Sequence, residues 1–239
     1  MPSGVSSSNA RRRFEGPMTE IVRISRFGFV NAYLVPEEDG LTVVDTMLWG
    51  GAKPILAAAR QLGAPIVRIA LTHGHGDHIG SLDDLHAALP DAEVIISARD
   101  ARLLAKDVSL DPGEPQVKIR GMIPGASTKP TRTVRGGEAV GSLEVISSPG
   151  HTPGHVAFLD RRDGTLLCGD AYTTIGGVAT TTGRNLRFPL AISGTWHGPT
   201  ELESARALRA LEPERLAPGH GKIVEAPVPA MDAAIEKAS

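Results

Sequence analysis

The chain has 239 residues and a formal net charge of -2, with a sequence pI near 6.4. That length suits one large α/β or β-sandwich unit with a substantial core, and the near-neutral balance argues against a phosphate-binding surface and so against nucleic acid as a partner. A single cysteine, Cys168, excludes a disulfide framework and leaves any metal to His, Asp or Glu, while no apolar run approaches the ~20 residues that a membrane span needs.

Residues 1–18, rich in Ser, Gly and Arg, read as a disordered tail, and residues 19–239 as the folded domain. The tail's Arg11, Arg12 and Arg13 have no apolar segment behind them, so it does not read as a secretory signal, and a cytoplasmic location is expected. From Glu20 to Val35, and again in LTVVDT from Leu41, short β-branched runs predict strands. An alanine-rich helix follows over Ala52 to Leu62, then the strand PIVRIALTH, which ends where a cluster of histidines begins. A helix over Ser81 to Leu89, a strand AEVIIS and a helix from Ala98 to about Lys106 complete a β-β-α-β-α-β-α first half. Asp107 to Pro130 is a Pro- and Gly-rich connection or lid, a length that compact domains rarely keep without a use. Thr131 to Tyr172 reads as a meander with a hairpin turn at Arg162-Asp163-Gly164; an amphipathic helix over Thr200 to Leu211, the strand RLAPGH and a closing helix over Ala230 to Lys237 follow. Two βαβ-like halves packed sheet to sheet, with helices outside, fit this order.

The chemistry is concentrated in HGHGDH, His73 to His78. On an extended segment His73 and His75 leave the backbone on the same side and can bite one ion, while Asp77 and His78 can face another point if Gly74 and Gly76 let the loop curve through positive φ. Helix capping uses fewer imidazoles than this, so the loop reads as a metal site. Three further candidates follow apolar runs at Gly-containing turns: His151 in PGHTPGH, Asp170 in LLCGDAY and His220 in LAPGHG.

Taken together, HGHGDH, PGHTPGH, GDAY and PGHG resemble the metallo-β-lactamase superfamily, over nearly the whole chain from about Glu20. The resemblance implies an α/β fold, a four-layer αβ/βα sandwich of two mixed sheets flanked by helices. It also implies His73, His75 and His151 around one ion, Asp77, His78 and His220 around the other, and Asp170 bridging them. Two divalent ions, two carboxylates and a bridging hydroxide leave about +1 at such a site. The implied cofactors are two Zn2+, with Fe or Mn tolerated by the same donors. Paired ions lower the pKa of a shared water from about 15.7 toward 7, so a metal-bridging hydroxide is the expected nucleophile. Asp77 is the expected proton carrier. Tyr172 is the expected carbonyl donor, by analogy with a tyrosine close after the bridging aspartate in the family's lactonases, although its spacing here differs. His155 reads as a supporting residue, His86 as a helix-surface or packing residue, Cys168 as core, and Trp196 and His197 as candidates to line the cleft.

An aspartate at position 170 resembles glyoxalase II-like hydrolases and lactonases rather than true β-lactamases, which usually carry cysteine or serine there. The few residues after His220 do not match glyoxalase II's glutathione-binding extension, and the long insertion of the family's nucleases is not seen. The expected function is therefore hydrolysis of a small ester, lactone or thioester, the only expected partner besides a second copy of the chain being a small-molecule substrate. The alternatives are a mononuclear iron sulfur-dioxygenase using His73, His151 and Asp170, then a metal-binding protein without turnover. Phe29 to Tyr33, Asp107 to Pro130 and Thr173 to Trp196 are expected to set specificity.

Overall fold

The structure is a computed structural model that describes residues 20–182 and 193–239. The expected tail, and the middle of the Thr173 to Trp196 stretch, lie outside the described residues.

Three antiparallel strands open the fold, β1 (Val22–Arg26), β2 (Val30–Glu37) and β3 (Gly40–Val44). Helix α1 (Ala52–Leu62) buries Ala52, Ile55 and Ala59 on one face and stops at Gly63, whose left-handed φ of 71° turns its N–H onto the Ala59 and Arg60 carbonyls. β4 (Ile66–Ala70) then runs parallel to β3, and after α2 (Gly76–Ile79) and α3 (Leu82–Ala88), β5 (Glu93–Ser97) runs parallel to β4. The helix expected from Ala98 is a single turn, α4 (Ala101–Leu104), because the chain leaves it at Lys106 with a φ of 60° to begin the long connection. That connection has no regular structure as far as β6 (Arg132–Val134). The meander continues through β7 (Ala139–Val140), β8 (Leu143–Ser147), β9 (Val156–Asp160) and β10 (Thr165–Thr173), with β9 and β10 joined by the expected turn at Gly164. The remaining elements are β11 (Ala179–Thr180), α5 (Gly198–Arg209), β12 (Arg215–His220), β13 (Val224–Glu225) and α6 (Val228–Ala238).

The four layers follow from strand alternation, since successive side chains leave opposite faces. In the first half Leu34, Leu41, Val43, Ile69 and Ile96 point out against α1 and α3, while Tyr33, Val35, Val44, Ala70 and Ile95 point inward. In the second half Val145, Phe158, Leu167 and Ala217 meet that inward set, and Ala157, Leu159, Leu166 and Leu216 pack outward on Ala205 and Leu208 of α5 and Met231 and Ala234 of α6. The two expected sheets are hydrogen-bonded into one curled ladder, in the order β6-β5-β4-β3-β2-β12-β10-β9-β8-β7. They join where β2 meets antiparallel β12 at one registered pair, Val30 opposite His220. The joint therefore places a candidate ligand at the seam between the halves.

Candidate metal centre

All seven candidate ligands converge. His73, His75 and His151 form one group, and Asp77, His78, Asp170 and His220 a second, with ligand atoms within 4.8 Å of one another in each. Asp170 reaches both: its Oδ2 lies 3.5 Å from His151 Nε2 and 3.2 Å from His220 Nε2, and its Oδ1 lies 3.2 Å from His78 Nε2. Asp77 Oδ2 lies 3.2 Å from His220 Nε2.

The local backbone differs from expectation in two places. Asp77 and His78 do not lie on an extended segment but on the single turn α2, which begins after His75 and turns their ligand atoms toward His220 and Asp170. Gly74 and Gly76 do not use positive φ. They serve close packing instead: a Cβ at Gly74 would meet Leu103 Cβ at 2.7 Å, and one at Gly76 would meet Met122 Cε at 2.6 Å. Asp170 likewise sits inside β10 rather than after it. The β10–β12 register shifts on both sides of Gly169, and this bulge, with φ of 51° at Gly169, aims the carboxylate into the centre. A Cβ at Gly169 would meet His155 Nε2 at 2.6 Å.

Each ligand histidine is held from behind. Carbonyls only accept, so His75 Nε2 donates to Arg120 O (2.9 Å) and His220 Nδ1 to Phe29 O (3.1 Å). His78 Nδ1 donates to Asp45 Oδ2 at 2.7 Å. Thr72 gives its hydroxyl proton to Asp45 and accepts from His73 Nδ1 at 3.0 Å; Thr195 gives its own to Thr181 O and accepts from His151 Nδ1 at 3.2 Å. Each ring thus presents its other nitrogen inward. His75 Nδ1 stands 3.1 Å from His73 Nε2 and 3.0 Å from His151 Nε2, lone pair against lone pair. Two buried atoms in the second group, His78 Nε2 and Asp170 Oδ1, have no well-formed hydrogen bond. Cations resolve both features, so the residues present fit a metal centre.

The two groups differ in charge. Burial, reinforced by neighbouring imidazoles, holds His73, His75 and His151 below the ordinary histidine range, in the neutral form that ligates. Burial acts the same way on His78 and His220, but Asp170 overrides it: His78 is raised well above its ordinary value and His220 to about 9. For Asp77 and Asp170 burial alone would favour the protonated acid, yet the hydrogen bond and charge of His220, with His78, hold both below the usual carboxylate range.

The remaining expectations divide. His155 supports the centre: its Nδ1 donates to Ser148 O and its Nε2 accepts the Asp170 N–H at 3.0 Å, while burial pushes its pKa to about 3. Cys168 is core. His86 lies half-buried on α3, outside both ligand groups. Tyr172 is not in the cleft; it is fully buried against α5 and its hydroxyl donates to Ala205 O at 2.7 Å, because the side chain after the bulge points to the helix layer. Trp196 and His197 do not line the cleft either. Trp196 packs with Leu103 and Ile119 and donates to Val117 O, His197 caps α5, and their backbone N–H groups hold the His151 and Gly150 carbonyls.

Above the ligands lies a cavity of about 360 Å³, walled by Phe29, Val30, Leu48, Gly121, Met122, Ser193 and Gly194. The long connection is therefore part of the site, as expected: Arg120 O fixes His75, Met122 O accepts from Gly76, and Gly121 packs where a Cβ would strike the His75 ring. Sequence reasoning passed over Asp45, Thr72, Thr195 and Asp100. Only Asp45 left a signal, a charged residue closing the apolar strand LTVV.

The family profile described as "Metallo-beta-lactamase superfamily" matches residues 25–220. The chain belongs to that superfamily. By this membership and its complete ligand set it is a metal-dependent hydrolase. It is 47% identical over 210 residues to the "uncharacterized protein YobT" of Bacillus subtilis (strain 168), covering 87% of this chain and 90% of that one. It is 34% identical over 139 residues to a hydroxyacylglutathione hydrolase of Synechococcus sp. (strain JA-3-3Ab), covering 56% of this chain but 45% of that protein, so it spans less than half of that relative. Among solved structures it is similar to TTHA1623 in a di-iron-bound form, with a TM-score of 0.65, 29% identity and 87% and 96% of the two chains covered. Among the described residues, no helix is long and apolar enough to cross a membrane.

Proposed function

We propose that the protein is a binuclear zinc hydrolase of a small ester, lactone or thioester. The observation that carries this reading is Asp170, whose carboxylate contacts candidate ligands of both groups, as one shared by two ions would. Zinc suits this imidazole and carboxylate set, and iron and manganese are the competing occupants. When bound, a metal pair acidifies water and polarises an acyl carbonyl.

The chain's own residues complete the chemistry. Asp77 is only partly buried, lines the cavity and lies 3.2 Å from His220, so of the candidate ligands it is the one that can relay a proton between the cavity and the leaving group. Phe29, Val30, Leu48 and Met122 give the cavity apolar walls that exclude bulk water and hold a small organic substrate. Tyr172, committed to Ala205, takes no part.

Elemental analysis of protein purified without added metal tests the reading. Close to two zinc per chain, falling in Asp170→Ala together with a loss of kcat/KM on the order of 10⁴, is expected, since ligands of one centre act as a unit. An ester, lactone and thioester screen then names the substrate class. One iron per chain with little zinc, and oxygen consumed with persulfide, would replace this reading with a sulfur-dioxygenase.

A further inference from the structure

Asp100 stands at the N-cap of α4, where an aspartate ordinarily accepts from the first turn of its own helix. It makes no such bond. The carboxylate is fully buried and turns the other way, toward two loops distant in sequence. Its Oδ2 accepts from Gly74 N at 3.0 Å and from Thr152 Oγ1 at 2.6 Å, and its Oδ1 accepts from Gly154 N at 2.7 Å. Its own N–H is fixed by Ser97 Oγ at 3.0 Å, which pins the residue to the end of β5.

The identity of these donors gives the arrangement its meaning. Gly74 lies between His73 and His75, and Thr152 follows His151, so one carboxylate ties the two loops that supply the three-histidine group. Gly154 precedes His155, which holds the Asp170 backbone, and a Cβ there would meet Asp100 Oδ1 at 2.6 Å. Asp77, His78 and His220 receive nothing from it directly; Asp45 supports His78, and Phe29 O supports His220. Both oxygens are occupied as acceptors, a pattern that an amide cannot reproduce, because its NH₂ would face an N–H donor.

We infer that Asp100 is a positioning residue that sets the spacing of His73 and His75 against His151, and thereby the affinity for the ion of that group more than for the other. The inference rests on the metal-centre reading above. Zinc titration of the full chain against a chromogenic chelator tests it, with His73→Ala and His220→Ala marking which binding step belongs to which group. Asp100→Asn is expected to weaken the step lost in His73→Ala by tenfold or more, as removal of supporting partners typically does, and to weaken the step lost in His220→Ala severalfold at most, through the Gly154 and His155 link to Asp170. Equal loss at both steps, or none, overturns the inference while leaving the metal centre intact. A wild-type chain that binds fewer than two ions overturns the binuclear centre and Asp100's role with it. Should Asp100→Asn fail to fold, Thr152→Val, which removes only the hydroxyl donor, is expected to weaken the same step severalfold; an unchanged affinity there overturns the inference.

Discussion

The two halves of the centre sit a few ångströms apart and are organised by different physics. His73, His75 and His151 are kept ligating by burial, and the groups directly behind them are neutral: the Thr72 and Thr195 hydroxyls and the Arg120 carbonyl. His78 and His220 are buried as deeply, but they share the carboxylate of Asp170, and His78 is backed by Asp45 as well. One group is therefore set by desolvation, the other by charge. Equal burial does not give equal proton affinity: Asp170 outweighs burial at His78 and His220, while at His151, 3.5 Å from the same carboxylate, burial wins.

Asp45→Asn should break the contrast most strongly. Asp45 has a φ of 63°, which asparagine also tolerates, so the backbone is kept while the charge behind His78 is removed. Zinc affinity at the Asp77, His78 and His220 group should fall about 10- to 100-fold. An equal affinity in chelator competition would show that charge does not organise that group.

The metal-free protein should show the same contrast through pH. His220 is raised from the ordinary 6.5 to about 9, so the stability contributed by its protonated form is complete below about pH 6.5 and is lost as pH rises through about 9. Melting temperature in chelator should accordingly fall by several degrees over that window, and His220→Asn should flatten the slope. A level wild-type profile would refute the raised value. The zinc-loaded protein should lack this slope, because the metal replaces the proton.

Thr195→Val tests the neutral side. It leaves His151 without its acceptor but removes no charge, so zinc affinity at the three-histidine group should drop only severalfold, less than in Asp45→Asn. A larger loss than in Asp45→Asn would reverse the order. Tyr172→Phe should do least, costing about 1 kcal/mol of stability for the lost bond to Ala205 O and leaving kcat unchanged. A fall in kcat would return Tyr172 to the chemistry.

How far the site was legible depends on how each residue is encoded. HGHGDH was readable because its metal-capable side chains are neighbours in sequence, and His151, Asp170 and His220 because each follows an apolar run at a glycine. The alternation of Leu34 and Val35, or of Ala157 and Phe158, made the layered sheets readable, since a period of two reports which face is buried. Thr72, Thr195 and Asp100 were not readable: a threonine or a helix-capping aspartate looks the same whether it serves its own backbone or a distant loop. Gly74 and Gly76 suit a curved loop by sequence, but what requires glycine there is not positive φ: the Leu103 and Met122 side chains that exclude a Cβ arrive from elsewhere in the chain.

By itself the sequence determined the superfamily, the layered α/β class and the seven side chains that the fold gathers into two groups, because these depend on residue type, spacing and strand periodicity. The tertiary structure decided the rest. The bulge at Gly169 sends Asp170 inward and Tyr172 into the α5 layer, the β2–β12 joint brings His220 to Phe29, and the Asp100 carboxylate gathers two loops. Each is a contact between segments far apart in the chain, and no local pattern of side chains specifies which distant groups a backbone will meet.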